Sequence, residues 1–504
     1  MMDLRGSGVL LHITSLPGNY GIGDLGRGSR TFIDFLAAAG QRYWQFLPIG
    51  PVSRIFDCSP YMSLSAFAGN PLFVDPDQLA DDGLLAEDDL AEGPEMSEYA
   101  VQFDVVIPHK TMLLRRAYGN FKNRELSGDY SRFCEKEAAW LDDYCLFMAI
   151  RNDRQQAAWS TWPSELAGRD AEALAETRLL LDDEIGYHKF VQFCFAKQWR
   201  AMRDYAEERG VVLVGDIPIY VSYDSADVWA NRHCFRIDEQ TLQPTHVAGV
   251  PPDYFSATGQ RWGNPLYRWD NNGSGENLAL QQWWRARFQR IFSTVDVVRI
   301  DHFRGFESFW EVPADEETAV NGRWVKGPGK PFFDAMAGDI GELPIIAEDL
   351  GIITPEVEKL RAELGFPGMK VLQFAFDSDA DNLYLPHNYP DPNCVVYTGT
   401  HDNDTTLGWV YSSEVGDEAK SRARRYANSD GEDVHWDFLR MALSSVARTA
   451  IIPMQDVLGF GTDCRMNMPG TCEGNWRWRC AERFFGGELA ARLRDETSFY
   501  GRCR

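Results

Sequence analysis

Val295-Asp296-Val297-Val298-Arg299-Ile300-Asp301 leads straight into His302-Phe303-Arg304-Gly305. The first seven residues are rich in Val and Ile, too few for a helix of their own, and end in a carboxylate. A strand buried on both faces reads this way. Seven other runs share the form: Val9–Ile13, Tyr43–Ile49, Val211–Asp216, Leu343–Glu348, Met369–Phe376, Cys394–Thr400 and Thr449–Gln455. Helical patterns lie between several of them. Phe32, Phe35, Leu36 and Ala39 fall on one helical face and stop at Gly40. Thr354-Pro355 reads as an N-cap followed by Pro at the first helical position. Val357, Leu360 and Leu364 then share a face, and Gly365 supplies the stop. Strand then helix, repeated, predicts an α/β fold with a parallel sheet, and eight strands fit a (β/α)8 TIM barrel. A doubly wound open sheet is the alternative. Gly21-Ile22-Gly23 does not continue into the glycine fingerprint that a dinucleotide would need.

The spacing of the runs is uneven. The stretches from Ile49 to Val211 and from Asp216 to Val295 exceed what one helical crossover needs. They predict a single catalytic barrel over residues 1–504 with two insertions on the loop side. One covers approximately 50–186 and is largely helical, with helix-like stretches such as Phe133–Ile150, and a long helical pattern, Tyr187–Glu208, follows it. The other, 217–290, is loop-rich, with Pro, Gly, Tyr and Trp from Pro244 to Asp270.

Hydrophobic residues make up 44% and charged residues 25% of the 504, as in ordinary globular chains. Lys and Arg total 50 against 75 Asp and Glu, a formal charge of −25. That balance argues against nucleic acid and anionic membrane surfaces as partners, since both need a basic face. The 10 Cys form no C-x-x-C, no apolar leader precedes the first run, and no apolar stretch reaches membrane-spanning length. The expectation is a soluble cytoplasmic protein with reduced thiols.

Polar residues gather immediately after the strand-like runs: Asp216, then Arg299 to Arg304, then Glu348-Asp349, then Thr400-His401-Asp402. In a barrel these strand ends form one face, the one that carries active sites. Each acidic residue alone could cap the following helix. Four on neighbouring strands, two of them with an adjacent His, are harder to explain so. Paired carboxylates of different protonation suit retaining chemistry at an anomeric carbon, where one attacks and the other protonates the leaving oxygen. Arg299 can balance Asp301 or Asp216, which suggests Asp301 as the nucleophile. Glu348, placed among other carboxylates, is held protonated and suggests the acid/base. A metal site is the competing chemistry, with Asp301, His302, Glu348, His401 and Asp402 as possible ligands. The Asp-His and His-Asp pairs are adjacent rather than in a metal-ligand spacing, and no metal is expected. No G-x-S-x-G elbow is present for serine chemistry.

Tyr61, Tyr254, Phe255 and Trp262 lie in polar, Gly/Pro-rich loops. Such rings offer flat faces to a sugar, or else pin their loops. Trp283 and Trp284 sit in a helical pattern and read as packing. Asn467, in the loop Arg465–Thr471, either bonds substrate hydroxyls or holds a turn.

The run Val298–Glu307 resembles the nucleophile segment of the 4-α-glucanotransferases (amylomaltases or disproportionating enzymes) of the α-amylase clan. Asn321–Gly329 continues it. Ala347–Gly351 is similar to the acid/base segment and Thr400–Thr406 to that of the third carboxylate. Ser65–Pro71, Pro251–Tyr267 and Arg465–Trp478 also match, so the likeness spans Ile13 to about Arg479. It implies a retaining (β/α)8 enzyme that cleaves an α-1,4 bond in a donor glucan and passes the glycosyl unit to another sugar's 4-hydroxyl. By the resemblance, Asp301 is the nucleophile, Glu348 the acid/base and Asp402 the transition-state stabiliser. Arg299, His302, His401 and Asp216 would surround the donor sugar. Tyr61, Trp262, Asp349 and Asn467 would contact glucan, and the loop around Tyr254 would shield the intermediate. Maltooligosaccharides, amylose or other α-1,4-glucans are the implied partners, and no cofactor is implied. One departure stands out: Ser53–Tyr61 lacks the glycine that often precedes the Asp in this family, and Ile55-Phe56 alters the loop near an acceptor subsite. Extra N-terminal domains of longer relatives are not expected, because Ile13–Pro17 stands so near the start. A hydrolase with the same carboxylates is the near rival, and a catalytically inactive glycan-binding protein the more distant one.

Overall fold

All eight runs form strands, in one parallel sheet, in the computed structural model, which describes residues 5–91, 93–125, 127–252, 256–270 and 275–503. In chain order the barrel strands are Gly6–Leu10, Tyr43–Gln45, Val212–Pro218, Val297–Asp301, Ile345–Ala347, Gly368–Val371, Cys394–Tyr397 and Thr449–Pro453. The first pairs with both the second and the eighth, and sequence neighbours pair around the ring. Between the fifth and sixth strands the main-chain link is a single bond, from the Ala347 N–H to the Pro367 carbonyl at 2.9 Å. The sheet is thus rolled into the TIM-type barrel, and the open doubly wound alternative falls.

Val9, Trp44, Leu213, Val298, Ile346, Val371, Val396 and Ile451 are all buried, so both faces of the sheet are covered. The helix Arg27–Ala38 stops before Gly40, which takes φ 69°. Pro355–Leu364 likewise ends at Gly365 with φ 69°, and Pro355 occupies the first turn. Thr354 stands at the N-cap position, but its hydroxyl makes no capping bond there. Trp284 is fully buried and Trp283 nearly so, as packing residues.

The stretch between the second and third strands is helical, with Phe103–Phe121, Gly128–Asp153 and Ala171–Leu180 before the long Asp182–Glu208. The stretch after the third strand holds more order than its loop-like composition suggests. His246–Val250 and Gln260–Pro265 form antiparallel strands, joined to Ser308–Pro313 and Arg323–Lys326 in a second, four-stranded sheet. These strands carry Gly and Pro and pair partly across the fourth barrel strand, so local alternation could not reveal them. The helix Leu278–Thr294 then leads into that strand. Among the described residues no helix is long and apolar enough to cross a membrane.

Candidate active site

The C-terminal ends of the barrel strands open into a cleft of about 1110 Å3. Asp301, Glu348 and Asp402 all line it, with Tyr61, Trp262, Arg299, His302, His401 and Asn467. Their placement follows from the sheet. Asp216 and Arg299 are register partners on the third and fourth strands, and Pro218 opposes Asp301. Arg299 therefore reaches both acids, at 2.6 Å to Asp216 and 3.0 Å to Asp301. Burial alone would lower the pKa of Arg299, but the carboxylates reverse that and hold it well above its ordinary value. Replacing it would strand a buried carboxylate, at a cost of ~3–5 kcal/mol. Asp216 itself lies beneath the cleft, where its second bond comes from the Tyr61 hydroxyl at 2.8 Å. Burial pushes its pKa up while Arg299 opposes that push.

Glu348 stands one residue beyond the fifth strand. Its two oxygens accept the N–H groups of His302 at 2.7 Å and Leu350 at 2.8 Å. His302 can present its N–H this way because it takes the left-handed backbone, φ 55°, which is uncommon without glycine and found where function constrains the chain. Burial raises the Glu348 pKa to about 7; Arg299 pulls it down, and the charge of Asp301 adds to the rise. A carboxyl so placed keeps its proton near neutrality and can donate it.

Asp402 sits in the turn after the seventh strand, more exposed than the others. Asn467 Nδ2 donates to it at 2.6 Å, and Arg465 binds its carbonyl at 2.6 Å. His401 Nε2 lies 3.3 Å from the same carboxylate, and burial lowers the His401 pKa. His302 is also held neutral, its pKa pushed to about 3 by burial and then by Arg304. Trp262 stands edge-on to His302 at 4.8 Å between ring centres. Tyr61 and His401 stack at 5.2 Å. One wall is thus aromatic and neutral, while on the floor a single guanidinium, Arg299, serves two carboxylates, Asp216 and Asp301.

Asp349 is a sequence-selected residue whose side chain does not line the cleft. Its carboxylate accepts the Met369 N–H at 2.7 Å and pairs with Arg361 at 3.0 Å, bridging the fifth and sixth strands. Tyr254 lies outside the described residues. Several cleft residues escaped the sequence reading. Arg304 stacks on Trp324, 3.9 Å from the ring centre, and both face the cleft. Trp476 packs behind Tyr61 at 5.8 Å. Trp324 belongs to a strand of the second sheet, and Trp476 meets a loop far away in sequence, so neither gave a local signal. Among the described residues no cluster of three or more His, Cys, Asp or Glu side chains converges as metal ligands would.

Known proteins match along the whole chain. Residues 11–483 fit the family model described as 4-alpha-glucanotransferase. A 4-alpha-glucanotransferase of Synechocystis is 49% identical over 100% of this chain and 99% of its own length. One from Thermus thermophilus is 47% identical over 97% of each. The structure of an amylomaltase from Streptococcus agalactiae, in complex with acarbose, superimposes with a TM-score of 0.94 at 38% identity, covering 99% of this chain and 100% of that one. A parallel barrel with this rim of carboxylates, matched end to end in sequence and in fold, belongs to the 4-alpha-glucanotransferase family.

Proposed function

We propose that the cleft carries out glucanotransfer by double displacement through a covalent glycosyl–Asp301 intermediate. The Asp301 carboxylate attacks the anomeric carbon of a donor α-1,4-glucan while Glu348 gives its proton to the departing 4-oxygen. The acceptor's 4-hydroxyl then gives its proton back to Glu348 and displaces Asp301. Asp402, fixed by Asn467, faces the positive charge that develops on the sugar ring in both steps. Arg299 supplies the counter-charge for Asp301 and Asp216. No cofactor enters this scheme. The observation that carries it is the contrast between two acids of one cleft. Asp301 is bonded to a guanidinium, whereas Glu348, only partly exposed, has its pKa raised to about 7 by desolvation.

The substrates on this reading are maltooligosaccharides, amylose or other α-1,4-glucans. Tyr61, Trp262 and Trp324 offer the flat faces a neutral sugar needs, and the relative solved with acarbose binds its ligand on the same fold. We read the chain as one catalytic barrel whose two insertions wall the cleft. The ten free cysteines suit the cytoplasm, where thiols stay reduced. Two measurements test the scheme. Maltotriose is expected to yield a ladder of longer oligosaccharides; glucose and maltose without a ladder would make the enzyme a hydrolase. A fluorinated glucosyl donor that slows the second step is expected to leave a mass adduct on the peptide bearing Asp301. An adduct elsewhere would remove Asp301 from its role.

A further inference from the structure

Three residues beside the cleft hold backbone conformations that the carboxylates do not explain. Asp57 and Cys58 have φ of 47° and 55°, and Trp476 has 64°. Left-handed backbone is uncommon outside glycine and an outlier for a bulky residue, so it persists only where the surroundings over-determine it. The three are tied together by one side chain. The Asp57 carboxylate accepts the Asn475 N–H at 3.2 Å through one oxygen and the Arg477 guanidinium at 3.1 Å through the other. Arg477 is itself anchored, since its carbonyl accepts the Val101 N–H at 2.7 Å. Between Asn475 and Arg477 stands Trp476, whose buried ring lies 5.8 Å from Tyr61 and 6.0 Å from His401. Those two rings stack on each other, Tyr61 bonds Asp216, and His401 lies beside Asp402.

We propose that Asp57 is a positioning residue: it braces the 475–477 segment, and through Trp476 it holds the Tyr61–His401 stack at the sugar-binding wall of the cleft. A glycine would adopt this backbone without strain, but it would offer nothing to grip two donors. The aspartate keeps the strained conformation because its two oxygens hold both. Without the brace, Trp476 can relax out of its left-handed conformation and the stack loses its backing. The expected consequence is weaker sugar binding and easier entry of water, with the acids themselves untouched. The inference rests on the reading of this cleft as the glucan site.

The test is steady-state transfer from maltotriose by D57G, D57N and R477A, with D301N as the control for the site. D57G relieves the strain and removes both contacts. D57N tolerates the left-handed backbone and keeps an acceptor for Asn475. In D57G the KM is expected to rise about tenfold, the factor a lost charge-assisted hydrogen bond supplies, with kcat little changed and thermal unfolding close to the parent's. Free glucose should increase relative to transfer products. D57N should fall between D57G and the parent, and R477A should shift KM and products in the same direction as D57G. An unchanged KM and product ratio in D57G and R477A, with D301N inactive, would overturn the proposal. If D57G fails to fold, R477A decides alone, since it leaves the strained backbone unaltered. Activity in D301N would instead overturn the reading of the cleft.

Discussion

The floor of the cleft and its aromatic wall meet around the same space but are held in opposite ways. On the floor, Asp216, Arg299 and Asp301 come from adjacent parallel strands whose register fixes them, and Glu348 is gripped by two backbone N–H groups. In the wall, Asp57 meets Asn475 across 418 residues of chain, and Tyr61 meets Trp476 through ring contact. Main-chain geometry places the chemistry, whereas long-range side-chain contacts shape the space around it. Changes to the floor should therefore stop the reaction, and changes to the wall should retune it.

The sharpest way to break this contrast is at Asp301. D301N should lower transfer from maltotriose by ~10³-fold or more while the protein stays folded by circular dichroism and still binds glucan. A loss no larger than that of a wall variant would erase the distinction. Glu348 comes next. With its pKa raised to about 7, the proton to be donated is lost as pH climbs through that value, so kcat/KM should fall on the alkaline side. E348Q should cost ~10²–10⁴-fold and flatten that limb. A limb that persists in E348Q would assign it to another group. Asn467 joins the two regions, since a wall loop carries it to a floor carboxylate. N467A removes one hydrogen bond to a charge, worth ~1.5–3 kcal/mol, and should cost ~10–100-fold in kcat/KM. A change confined to KM would place Asn467 wholly with the wall.

The same division explains what could be read from the chain in advance. The eight strands announce themselves because each buries a short Val/Ile-rich run, and the acids stand out because polarity returns abruptly where each run ends. His246–Val250 and Gln260–Pro265 stayed hidden because their pairing depends on partners beyond the fourth barrel strand. Asp216 and Arg299 could be linked by chemistry alone. Trp476 could not, since its importance comes from a left-handed conformation and a neighbour more than four hundred residues away. Asp349 looks like its neighbour Glu348 in sequence, yet its side chain turns outward to Met369 and Arg361. Alternation along an extended segment points adjacent acids to opposite sides.

That outward turn bears on how the ring is shut. Between the fifth and sixth strands a single main-chain bond is supplemented by the Asp349 carboxylate, which stands in for a missing rung of the ladder. The circumference of the cylinder is fastened there by a side-chain latch, and the latch sits directly beside Glu348. Warming that slackens the ring at this seam is expected to wet Glu348 and return its proton affinity toward that of an ordinary carboxylate. The enzyme would then lose its acid before it loses its fold.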